Sequence, residues 1–106
     1  MPKYLVRGSL SPEGLRGTLK EGGSKRRDAI AELARSVGGS LEAFYYAFGE
    51  DDIYAIFDAP DNIAAATASV TSAAAGAGRV ATIVLITPEE MDQIAQKHAQ
   101  YRPPGA

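Results

Sequence analysis

Apolar and polar positions alternate with a period of two near the start of the chain. Tyr4, Val6 and Gly8 fall on one side and Leu5, Arg7 and Ser9 on the other, which predicts a first strand over residues 4–9. The pattern then changes. Ser11-Pro12-Glu13 supplies a capping hydroxyl, a proline suited to the first helical position and an acid that complements a helix N-terminus, and Leu15 and Leu19 follow four apart. Gly22-Gly23 predicts a break in this helix. Ser24 is placed to cap a second part that reaches about Val37, with Ile30, Leu33, Ala34 and Val37 as its apolar stripe. Gly38-Gly39 ends it, as glycine after a helix commonly does. Ser40 to Phe48 predicts an aromatic-rich strand, Gly49-Glu50-Asp51-Asp52 a turn, and Ile53 to Asp58 the returning strand of a hairpin. Pro60-Asp61-Asn62 opens a helix from Ile63 to about Ala75. Its expected buried face is Ile63, Ala66, Val70 and Ala73/Ala74, and Gly76-Ala77-Gly78 terminates it. The β-branched run Arg79 to Ile86 predicts a fourth strand, and Thr87-Pro88-Glu89-Glu90 starts a short last helix carrying Met91, Ile94 and Ala95.

The order β-α-β-β-α-β, two split βαβ units, predicts an α+β fold of ferredoxin-like type. Its expected form is a four-stranded antiparallel sheet with the long helices on one face, a short C-terminal helix, one domain over residues 1–100 and a mobile tail over residues 101–106. The other sheet face poses a problem. A half-solvated sheet alternates cleanly, but the fourth strand is apolar on both sides, with Ile83 and Leu85 on one and Val84 and Ile86 on the other. A partner chain is therefore expected to cover it, and a homo-oligomer, dimer or higher, is the expected assembly. A chain of 106 residues buries a modest fraction of its surface and gains from such association.

Composition narrows the chemistry. There is no cysteine, so disulfides, thiolate metal sites and a cysteine nucleophile are excluded. With a single histidine as well, a zinc site is a poor fit, and no metal or cofactor is expected. A net charge of −2 argues against nucleic acid as partner. No apolar run has the roughly 18 to 20 residues of a membrane span, and no signal peptide is visible, so no membrane association and a cytoplasmic location are expected.

Four groups of residues bear on function. Ser24, Lys25, Arg26 and Arg27 follow two glycines at a helix start, where free N–H groups attract anions; three basic residues there also run against the helix dipole. They are anion-binding candidates, against the plainer reading of a kinked helix with solvated charges. Arg7, Tyr46, Asp52, Arg79 and Thr82 lie in or beside strands and are ligand-binding candidates on the open sheet face. There tyrosine could serve as acid or base and arginine could hold an anionic or enolate oxygen. Interface salt bridges and hydrogen bonds are the competing account. The acidic run Glu50-Asp51-Asp52 lacks calcium-loop spacing and reads as a soluble hairpin tip. His98, near the end of the last helix, reads as a surface histidine.

Gly38-Gly39-Ser40-Leu41-Glu42-Ala43-Phe44-Tyr45-Tyr46-Ala47-Phe48-Gly49, followed by Asp52 and Asp58-Ala59-Pro60-Asp61, resembles the GYD-domain family, small bacterial and archaeal proteins of the dimeric α/β-barrel type. Gly14, Arg27, Arg79 and Thr82 support the resemblance, which runs from Tyr4 to about Glu90. Where the family has its name-giving tyrosine, this chain has Asp51. The resemblance implies a fold and a homo-oligomer but no reaction. Two functions are therefore in view: a homo-oligomeric small-molecule-binding or scaffold role through the open sheet face, and a cofactor-independent oxygenase or isomerase acting on a small aromatic or enolisable substrate.

Overall fold

The computed structural model describes the backbone of residues 1–106 and every side chain except that of residue 77. Strand β1 (Lys3–Gly8) leads into α1 (Pro12–Glu21) and α2 (Gly23–Ser36). The hairpin β2 (Ser40–Tyr46) and β3 (Ile53–Asp58) is followed by α3 (Asn62–Ser72), β4 (Val80–Leu85) and α4 (Pro88–Gln96). Ser11 caps α1, its hydroxyl accepting from the Gly14 N–H, and Pro12 stands at the first helical position. Gly22 separates α1 from α2 at φ 92°, a left-handed conformation that favours glycine. Gly22, and not Ser24, is the N-cap of α2, and no side chain caps that helix. The helix starts two residues earlier than a Ser24 cap requires, which places Ser24 inside the helix.

The sheet order is β2-β3-β1-β4 with every neighbouring pair antiparallel, the order of the ferredoxin-like fold. Register fixes which side chains share a face, because successive residues alternate. Tyr4 pairs with Phe57 and Val84, Val6 with Ala55 and Thr82, and Gly8 with Ile53 and Val80. These positions face the helices, and Leu41, Phe44 and Tyr46 join them from β2. Leu5, Arg7, Tyr54, Ile56, Ala81 and Ile83 therefore point to the open side. A bulge between Leu41 and Ala43 puts Glu42 out of the alternation.

The core sits between the sheet and α3. Tyr4, Phe57, Ala59 and Ala65 form it, with Val6, Leu41 and Ala64 packed alongside. The Tyr4 and Phe57 rings stack at 5.4 Å, and the Tyr4 hydroxyl donates to Asn62 Oδ1 at 2.7 Å, so this fully buried tyrosine leaves no orphan polar group. Alanines are what let α3 approach. Ala65 and Ala68 are its buried residues, while Ile63 and Val70 are 78% and 66% exposed. The expected buried stripe of Ile63, Ala66, Val70 and Ala73/Ala74 thus points outward. Against the large Tyr4–Phe57 layer there is room for methyl groups only, so the face with the smaller side chains turns in.

The molecule is elongated. Its radius of gyration is 16.8 Å and its longest extent 57 Å, against about 13 Å of gyration radius for a compact chain of this length. The C-terminal arm accounts for the excess. Every residue of α4 is exposed, including Met91 and Ile94 on its apolar side. The helix still begins well: the Thr87 hydroxyl accepts from the Glu90 N–H, and the Glu90 carboxylate accepts from the Thr87 N–H. No helix of the described residues is long and apolar enough to cross a membrane.

Candidate functional site

The open sheet face is organised in three rows across the strands. The middle row, Ala43, Ile56, Leu5 and Ile83, is apolar from one edge to the other. On one side of it lie Glu42, Asp58, Lys3 and Leu85; on the other lie Tyr45, Tyr54, Arg7 and Ala81. In the first charged row, Lys3 Nζ donates to Glu42 at 2.6 Å and to Asp58 at 2.9 Å. These two hydrogen bonds, Glu42 first, raise the Lys3 pKa above its usual value. The second row ends in a buried carboxylate. Asp51 is 2% exposed. It accepts from Arg7 Nη1 at 2.7 Å and from Arg79 Nη2 at 3.5 Å. The hydrogen bond from Arg7 and the attraction of the Asp51 charge hold that guanidinium more firmly protonated than usual.

Asp51 was not legible as a site. The acidic run that reads as a hairpin tip divides into three roles: Glu50 is exposed, Asp51 is buried under two arginines, and Asp52 accepts from the Leu10 N–H at 3.0 Å. The available signal was the two arginines themselves, because Arg7 and Arg79 sit on one sheet face and a charge there needs a counter-charge. Among the described residues, no three His, Cys, Asp or Glu side chains gather where a cation could be held.

The five ligand candidates do not converge. Arg7 and Arg79 meet at Asp51 on the open side. Tyr46 and Thr82 face the helices instead, correcting their expected place beside Arg7. The strand registers decide this: Tyr46 pairs with Ile53, and Thr82 with Val6. Tyr46 donates its hydroxyl to the Gly23 carbonyl at 3.1 Å, and Thr82 shares a hydrogen bond with Ser69 of α3. Burial raises the Tyr46 pKa, and nearby Arg26 offsets part of that rise.

The basic run at the start of α2 also divides. Lys25 and Ser24 are exposed, and Arg27 pairs with Asp28 at 3.2 Å. Arg26 turns inward, to line a cavity of about 70 Å³ between the sheet and helices α2 and α3. Val6, Ile30, Phe44, Ala68 and Val80 supply its apolar wall, and Ser69 and Ser72 line it from α3. Arg26 Nε is buried with no hydrogen-bond partner.

A family model described as the GYD domain matches residues 4–95. No curated protein and no solved structure matches the chain.

Proposed function

The chain belongs to the GYD-domain family, and from that premise we propose that it works as a self-assembling scaffold, a homodimer closed through the open faces of two sheets. The observation that carries this reading is the apolar row Ala43–Ile56–Leu5–Ile83, which crosses all four strands on a face that no helix covers among the described residues. A soluble monomer with that face in water would forgo the burial that drives association.

Charge selects a second copy as the occupant. The hydrogen-bonded groups on one side of the row, Lys3 with Glu42 and Asp58, carry one surplus negative charge. Those on the other side, Arg7 and Arg79 with Asp51, carry one surplus positive charge. A two-fold axis lying along the apolar row lays that row on its own copy and sets each negative side over the second copy's positive side. Such a surface is self-complementary, as an isologous interface requires.

Size brings in the arm. A face of four strands, six residues deep, projects onto roughly 19 by 20 Å, or about 400 Å². A standard interface takes roughly 800 Å² from each partner. The exposed apolar side of α4 is the surface that makes up the difference. The polar candidates fit this reading better than one involving turnover, since Arg7, Tyr46, Asp52, Arg79 and Thr82 are each engaged in a bond that holds the fold.

The chain has no cysteine, so a single one reports geometry cleanly. On the proposed axis, residue 56 lies opposite residue 56 of the second copy. Ile56→Cys is expected to be joined into a dimer by a short thiol-reactive bifunctional cross-linker that spans the roughly 10 Å between packed sheets, a gap too wide for a direct disulfide, whereas Ser36→Cys, on the far side of the molecule, is not. Equal cross-linking of the two variants, or none of Ile56→Cys, would refute the arrangement.

A further inference from the structure

On the helix side of the sheet, opposite the assembly face, Arg26 stands in a position that the fold does not explain. Among the described residues it makes no ion pair and no side-chain hydrogen bond, and its Nε is buried with no partner. Its neighbours in sequence differ: Arg27 has Asp28, and Lys25, which has no ion pair among the described residues, is exposed to water. Arg26 itself is half-buried, and a polar nitrogen withdrawn from water without a partner is costly and is ordinarily paired. Arg26 lies instead beside a largely apolar space whose α3 wall includes Ser69 and Ser72, their hydroxyls bonded within the fold.

We propose that this cavity is a binding site for a short aliphatic carboxylate, with the carboxylate on Arg26 and the hydrocarbon against Val6, Ile30, Phe44 and Ala68. The charge of the ligand follows from the unpaired guanidinium, whose planar fork matches a carboxylate. Its length follows from the volume. The cavity, about 70 Å³, is half the size of the roughly 150 Å³ engineered cavity that accepts benzene, so it admits a chain of about three carbons and excludes an aromatic ring. Tyr46 lies within electrostatic reach of Arg26. Its hydroxyl, tied to the Gly23 carbonyl, holds the start of α2 against β2 and thereby fixes where Arg26 enters.

The test is a titration of the ¹⁵N-labelled protein with sodium butyrate, followed by amide chemical shifts. The expected result is saturable shifts at Arg26, Ala68, Ser69 and Ser72. Arg26→Gln is expected to weaken butyrate roughly tenfold or more, as loss of a charge-assisted hydrogen bond implies. Arg27→Gln should leave it unchanged, and neutral butyramide should bind the wild type at least as weakly as butyrate binds Arg26→Gln. Ala68→Val, which narrows the cavity without touching Arg26, should also abolish the shifts. Absence of saturable shifts, equal binding by Arg26→Gln, or butyramide binding as well as butyrate would each overturn the assignment. None of these outcomes depends on the oligomeric state.

Discussion

Asp51 shows how a residue's role is decided by its neighbours across the sheet and not by its neighbours in sequence. Glu50 and Asp52 flank it, and all three read as turn residues, yet only Asp51 is closed over by Arg7 and Arg79. That closure needs β1 and β4 to be adjacent, which strand-by-strand reading does not supply. Asp51→Ala is expected to lower the melting temperature by several degrees, and Asp51→Asn, which keeps an acceptor, by less; calorimetry separates them. Tyr4→Phe, which removes the donor to Asn62, should cost about 1 kcal/mol in denaturant unfolding. The alkaline limit of stability follows from two groups. Lys3 is raised by its bonds to Glu42 and Asp58, and Tyr46 by burial. A pKa raised on folding means the native state holds its proton longer. The stabilisation is complete below the unfolded value and is lost as pH climbs through the folded one, so stability should fall in the alkaline range above about pH 10. Tyr46→Phe should flatten that fall, and an unchanged alkaline limb in the variant would show that Tyr46 does not contribute.

Among the elements, strands and caps were the legible part. The capping residues Ser11, Asp61 and Thr87 each do what their type suggests. The expected β3 matches its observed bounds, and the edges of the other elements move by one to three residues, the most at the end of α3. Ser24 is the exception, since α2 starts at Gly23 with no side-chain cap, and the other failures concern rotation. On α3 the larger apolar residues, Ile63 and Val70, marked a stripe, but the sheet selected the alanine face because bulk on the opposing layer was already supplied by Tyr4 and Phe57. The two faces of a strand were likewise left open until register put Tyr46 and Thr82 on the helix side. Helix α4 carries the clearest prediction at this scale. Nine residues form a marginal helix in water, since an isolated helix needs roughly 12 to 15 residues to persist. If α4 docks on a second copy, amides of residues 91–96 should be protected from hydrogen exchange at high protein concentration and lose protection on dilution. Protection independent of concentration would remove α4 from the interface.

For the molecule as a whole, the ferredoxin-like arrangement was anticipated by the order of the elements, and the apolar open face by the pattern of β4, whose Ile83 and Val84 are exposed on opposite sides of the strand. The direction of charge across that face could not be anticipated, because the two charged rows are assembled from residues far apart in sequence, such as Lys3 with Asp58 and Arg7 with Asp51. The rows give the face its polarity and the apolar row gives it a reason to be covered; in the proposed dimer the exposed α4 adds to the contact. Sedimentation equilibrium over a range of micromolar concentrations tests that account most directly. It predicts a mass of twice the 11.1 kDa chain, falling to the single-chain mass in Ile83→Lys, whose charge enters the apolar row at a half-exposed edge position. A wild-type protein that sediments as one chain throughout would contradict it.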